Sequence, residues 1–194
     1  MAGHYLAMQC YGSGQPLRDV HHAMPVPGPK EMLIEVAACG AYRTDLHVIE
    51  GDIPRHYPIV PGHEIVDHIR QLGSKVEGFK LGERIGVPWL GHICGECQYY
   101  LSGKEDLCDV PEFTSCTRDG GYAEFVVADS RYCFPLSYRF SDAKAESLLY
   151  AELIGWRAFR LAGEGDRIGS TVLVWQRHSM RKEKVDAWFV LEFT

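Results

Sequence analysis

Cys94-Gly-Glu-Cys97 is followed by a third thiol at Cys108, and Tyr100 stands where the spacing Cys-x2-Cys-x2-Cys-x7-Cys would place a fourth. A tight Cys-x2-Cys turn aims two sulfurs at one point, and a structural zinc takes four tetrahedral ligands of this soft kind at short loop spacing. Glycines 91, 95 and 103 suit a looping lobe better than a strand. The spacing therefore predicts a zinc lobe over residues 91–109, with Cys94, Cys97 and Cys108 as ligands and water, His92 or Glu96 as the fourth contact. Free thiols in a surface loop are the plainer alternative.

A second group lies upstream, where Ala38-Cys39-Gly40-Ala41-Tyr42-Arg43-Thr44-Asp45-Leu46-His47 precedes Val60-Pro61-Gly62-His63-Glu64. The glycine-punctuated run from Leu72 to Val87 and the run Asp119-Gly120-Gly121-Tyr122-Ala123-Glu124-Phe125 follow in order. With the lobe, these motifs resemble the zinc-dependent alcohol dehydrogenases of the medium-chain dehydrogenase/reductase superfamily, over about residues 5 to 168. The resemblance implies a GroES-like barrel carrying the active site. It also implies hydride transfer between a small alcohol or aldehyde and NAD(P), with zinc as Lewis acid.

On the same resemblance the catalytic zinc ligands fall at Tyr42, His63 and Tyr150, and only His63 matches. A phenol, with an ordinary pKa of about 10 against about 8.5 for a thiol, is a poor replacement for cysteine. Glu64 corresponds to a carboxylate that serves as an alternate ligand. Asp45 corresponds to the group that fixes the His63 tautomer. Thr44 corresponds to the hydroxyl that takes the alcohol proton, His47 to the group that passes it to solvent, and Trp89 to a pocket wall. Without the resemblance, His63 reads equally as a histidine satisfied in a barrel turn, Thr44, Asp45 and His47 as a capped helix start, and Trp89 as core.

These residues need a scaffold. Strand-like runs at residues 5–11, 31–38, 64–72, 84–88, 122–128 and 131–136 alternate with Gly-, Pro- and Asp-rich separators. The expected fold is mainly β with α: a GroES-like partly open β-barrel followed by a helix and an incomplete α/β, Rossmann-like fragment. Residues 1–150 would form the catalytic domain and 151–194 the start of a dinucleotide-binding domain. The helix is expected to begin near Asp142 and to carry an apolar stripe of Leu148, Leu149, Leu153, Ile154, Trp156, Phe159 and Leu161, with Gly163 as its stop and the charge of Glu152 inside it. A strand at 171–175, a basic helix at 177–184 and a strand at 187–193 make one βαβ unit at most. After Trp175 the chain reads Gln176-Arg177-His178-Ser179-Met180, without the glycines that let a backbone approach a pyrophosphate. NAD(P) is thus implied by the resemblance, while its site is expected to be missing.

Hydrophobic content of 46% and charged content of 24% across 194 residues are those of an ordinary globular protein. A net charge of -6 argues against nucleic acid as a partner. No segment is long and apolar enough to be expected to cross a bilayer, and the first residues lack the pattern of a signal peptide. Metal-spaced thiols suit a reducing compartment, so a cytoplasmic protein is expected. The apolar tail, from Trp175 to Phe193, would pack on the preceding helix or promote homo-oligomer formation. Zinc in the lobe is expected ahead of zinc at His63. The leading expectation is an alcohol dehydrogenase-like domain, inactive or impaired in this chain. The alternative is a non-catalytic zinc-binding or interaction module.

Overall fold

The structure is a computed structural model that describes residues 3–53 and 55–150, together with 153, 160 and 190–192. Its centre is β3 (Glu31–Gly40) against β4 (Glu64–Leu72), both rich in β-branched and apolar residues. They pair antiparallel from Met32 opposite Leu72 to Gly40 opposite Glu64. β5 (Arg84–Val87) continues the sheet beyond β4, and β9 (Phe134–Pro135) closes on β5. β8 (Phe125–Asp129) covers the other edge of β3 over Glu31–Glu35. A hairpin of β1 (His4–Gln9) and β2 (Arg18–Ala23) is stitched to the sheet by an Ala7–Ala123 bridge and by the Met8 N–H donating to the Tyr122 carbonyl. β6 (Leu90–His92) and β7 (Glu112–Phe113) form a small ribbon at the foot of the lobe.

Side chains alternate across a strand, so β4 sends Ile65 and Ile69 into the main core and Val66 to the opposite face. The main core gathers Met32, Ile34, Val36, Ile65, Ile69, Ile85, Val87 and Val126. Val66 packs instead with Ala145 and Leu149, which fastens the segment after the barrel to the back of the sheet. The architecture is the expected one, mainly β, with strands at or near the expected runs 5–11, 31–38, 64–72, 84–88 and 122–128. In the run 131–136, Arg131 and Tyr132 end a 3-10 turn, Ser130–Tyr132, and only Phe134–Pro135 is strand, the short β9.

The helix expected from Asp142 is not continuous. A single turn, α3 (Asp142–Ala145), tightens at once into a 3-10 turn over Glu146–Leu149, and Tyr150 leaves helical geometry at φ -143, ψ -65. Side chains three apart eclipse in a 3-10 turn, so Glu146 and Leu149 are buried on one side. Leu153 is exposed rather than part of a buried stripe. Glu152, Ile154, Trp156, Phe159, Leu161 and Gly163, the expected strand at 171–175 and the expected helix at 177–184 lie outside the described residues.

Of the last expected strand, β10 (Val190–Glu192) is described, and it pairs antiparallel with β3. Its partners are Gly40, Cys39 and Ala38, the stretch of β3 that β8 does not reach. An open strand edge of this kind is a template for pairing.

Candidate active site and metal lobe

α1 (Arg43–Glu50) starts directly behind β3, and its first turn builds the site. Tyr42 is the N-cap residue, and its N–H donates to the Asp45 carboxylate at 2.9 Å. The other Asp45 oxygen accepts the Gly62 N–H at 3.1 Å and the His63 Nδ1–H at 3.0 Å. Gly62 sits at φ +96, a left-handed turn that glycine makes without strain and that swings His63 inward. Asp45 and His63 are buried, at 2% and 0% exposure. Tyr122 lies against this pair, and burial first, then the Asp45 charge, push its phenol well up.

A hydrogen bond from Nδ1–H to a carboxylate leaves Nε2 as the lone-pair nitrogen. His63 Nε2 is buried without a hydrogen-bond partner. Around it stand the rings of Tyr150 at 4.8 Å, Trp89 at 5.1 Å and Tyr42 at 6.1 Å between centroids. Tyr42 and Tyr150 meet each other at 5.2 Å, and Phe113 stacks behind Trp89 at 5.0 Å. An unpartnered, tautomer-fixed nitrogen is what a metal ligand looks like, but the neighbours are edges and faces of rings. Burial, then the proximity of Tyr150 and Glu64, raises the Tyr42 phenol above its ordinary value of 10.0, so it is neutral at pH 7. Among the described residues no trio of His, Cys, Asp or Glu donors gathers at His63. The residues here do not fit a catalytic zinc.

Glu64 follows His63 and opens β4. Its Oε2 lies over Gly40, where Glu146 Oε2 also lies, and a Cβ on Gly40 would collide with both. Glu146 was not legible as part of the site, since its position in the chain marks only one carboxyl ahead of Leu148 and Leu149. Thr44 is half-buried on α1, one turn from His47. His47 Nδ1 meets Asp52 Oδ2 at 2.9 Å near solvent.

The three lobe cysteines do come together, with Cys94, Cys97 and Cys108 sulfurs all within 4.8 Å of one another. Cys94 Sγ accepts the Cys97 N–H at 3.4 Å, and Cys108 Sγ lies 3.5 Å from Cys94 Sγ. Cys97 caps α2 (Gln98–Leu101), its Sγ accepting the Tyr100 N–H at 3.4 Å. Gly95 at φ +76 makes the left-handed turn between the first two sulfurs. Backbone N–H groups of Glu96 and Cys97 bring the Cys94 thiol down to about 7, which favours the thiolate. These donors fit a structural zinc on three sides. His92 and Glu96 are not in the cluster, and His92 Nδ1 is turned to Asp129 Oδ2 at 2.9 Å. Tyr100 supplies its N–H to Cys97.

Comparison with known proteins agrees with this geometry. Residues 28–138 match the Alcohol dehydrogenase GroES-like domain. The chain is 42% identical over 149 residues to "Probable alcohol dehydrogenase AdhA" of Mycobacterium tuberculosis, covering 74% of this chain and 43% of that protein. It is 38% identical over 151 residues to an alcohol dehydrogenase of Geobacillus stearothermophilus, covering 77% and 45%. It thus spans less than half the length of these curated relatives. Among solved structures, the cobalt- and zinc-bound thermostable alcohol dehydrogenase of Pyrobaculum aerophilum superposes with a TM-score of 0.74 at 28% identity, over 81% of this chain and 49% of that one. The NADP(H) complex of CAD from Helicobacter pylori shares the fold at a TM-score of 0.76 and 23% identity, over 84% and 50%. The barrel, the His63–Asp45 pair and the thiol lobe lie within the matched region, and the chain belongs to the alcohol dehydrogenase family with a GroES-like domain.

Proposed function

We propose that this chain is the barrel half of a zinc-dependent alcohol dehydrogenase in which the catalytic metal position has been filled by aromatic rings, so that turnover is lost or impaired. The observation that carries this reading is the His63 Nε2 nitrogen, fixed by Asp45 and facing Tyr42, Tyr150 and Trp89. In an intact site zinc would act as a Lewis acid on the oxygen of a small alcohol or aldehyde, with NAD(P) as hydride partner. Here only His63 would offer it a good donor, and two phenols occupy the space of further ligands. Zinc belongs instead to the lobe, where Cys94, Cys97 and Cys108 would hold it as a folding element. Thr44 and His47 would be the proton-handling pair of an active relative. The metal-spaced thiols support a cytoplasmic setting, where they stay reduced.

Metal analysis of the purified chain separates the possibilities. A single zinc equivalent, lost in Cys97→Ser and retained in His63→Ala, is the expected result. Alcohol-dependent reduction of NAD or NADP by the unmodified chain, abolished by His63→Ala, would overturn the reading. The second reading, a zinc-holding interaction module, is favoured by the same sulfur cluster. Zinc retained together with a defined oligomer that Cys97→Ser disperses would select it.

A further inference from the structure

We propose that Cys94 and Cys108 are a peroxide-responsive thiol pair, which hydrogen peroxide or a small organic hydroperoxide joins into a disulfide, emptying the lobe of metal. This rests on the sulfur geometry and not on the enzyme reading. The two sulfurs are already in contact at 3.5 Å, against about 2.05 Å in a disulfide. Cys97 Sγ accepts the Tyr100 N–H at 3.4 Å much as Cys94 Sγ accepts the Cys97 N–H at 3.4 Å, and what sets Cys94 and Cys108 apart is their direct sulfur contact. Cys94 is half-buried and within reach of a small oxidant, whereas Cys108 is buried behind it. Among the described residues the cluster holds three protein sulfurs, one fewer than the four ligands of a closed zinc site.

The chemistry closes in two steps. The Cys94 thiolate attacks one peroxide oxygen, the O–O bond breaks, and the departing oxygen takes a proton to leave as water or, from a hydroperoxide, as the alcohol. The Cys94 sulfenic acid that remains is attacked at sulfur by the Cys108 thiolate; the S–O bond breaks and hydroxide leaves, taking up a proton. The peroxide is reduced by the two electrons that the thiols give up. Cys97 alone would then remain as a thiolate donor, too few to hold zinc.

The test uses the full chain loaded with zinc and treated with hydrogen peroxide, then alkylated and digested with trypsin without reductant. Cleavage after Lys104 puts Cys94 and Cys97 on one peptide and Cys108 on the next. The expected product is a cross-link between these peptides that fragmentation assigns to Cys94 and Cys108, formed in step with zinc release to a chromogenic chelator. Cys97→Ser should keep the cross-link. Cys108→Ser should abolish it and leave a Cys94 sulfenic acid that dimedone traps. A Cys94–Cys97 loop, a Cys97–Cys108 link, or no disulfide overturns the proposal. Protein that carries no metal yet forms the Cys94–Cys108 link supports the thiol pair and overturns the release of metal.

Discussion

Asp67 lies in the middle of β4 with Ile65 and Ile69 on either side of it on the inward face, opposite Ile85 and Val36. It is 0% exposed, and neither carboxyl oxygen has a hydrogen-bond partner. Burial first, then repulsion from Asp142, push its pKa well above the ordinary 3.8. The Cys39 and Cys133 thiols that feel its charge are themselves pushed up by burial, and the nearby Arg84 guanidinium is spent on Asp142 at 2.7 Å and on the Ser137 carbonyl. Folded protein therefore keeps the Asp67 proton to a higher pH than unfolded chain does. The native state binds more protons above about pH 4, so stability falls there as pH rises, by about 1.4 kcal/mol per pH unit until the folded group ionises. A polar group buried without a partner costs a further 1–3 kcal/mol, roughly, even when neutral. Asp67→Val removes both terms and puts a β-branched residue between two isoleucines. It should raise stability at pH 7 by at least the roughly 1–3 kcal/mol of the unpartnered buried group. Urea unfolding followed by tryptophan fluorescence at pH 4, 5, 6 and 7 reads this directly. The wild-type curve should lose stability across that range, and the Asp67→Val and Asp67→Asn variants should lose less. An Asp67→Val protein less stable than wild type at pH 7, or an unchanged pH slope in either variant, would refute the argument.

Asp45→Ala should cost about 3–5 kcal/mol in the same assay, since it strands the His63 ring and the Tyr42 and Gly62 N–H groups together. Gly120→Ala should cost about 1–3 kcal/mol or more, because a Cβ there would run into the carbonyl oxygens of Gly62 and Pro61; wild-type stability in that variant would contradict the packing described. The double change Tyr42→Cys, Tyr150→Cys clears two rings and supplies two thiols beside His63. It should add a second zinc equivalent by metal analysis without restoring alcohol turnover, and unchanged metal content would sink the proposal that these rings exclude the ion.

The strands were legible where alternation and burial coincide: Glu64–Leu72 reads as written because Ile65, Ile69 and Val66 divide cleanly between two faces. β2 was not, since Arg18-Asp-Val-His-His-Ala is polar and lies at an edge, where pairing with β1 rather than burial holds it. The break in the helix after Asp142, at Glu146–Tyr150, was missed for the opposite reason. Its apolar residues suit a helical stripe, yet local packing on Val66 and Gly86 asks for a tighter turn. In the site, Cys-x2-Cys spacing was enough to place three sulfurs together, because loop geometry is local. The convergence of Tyr42, His63, Trp89 and Tyr150 needed the resemblance, because those residues come from distant parts of the chain and nothing local in their types links them. Asp67 and Glu146 carried no signal, since a carboxyl gives no hint in sequence of whether it faces water.

The Asp45 carboxylate binds together the start of α1, the Gly62 turn and the His63 ring. Those contacts are equally necessary whether or not any substrate is ever turned over. A chain of this family that gives up its chemistry therefore still needs Asp45 in order to fold, and with it much of the signature by which an active enzyme is recognised. Presence of the signature is evidence about the barrel. Evidence about the reaction has to come from positions such as 42 and 150, whose side chains face the His63 ring.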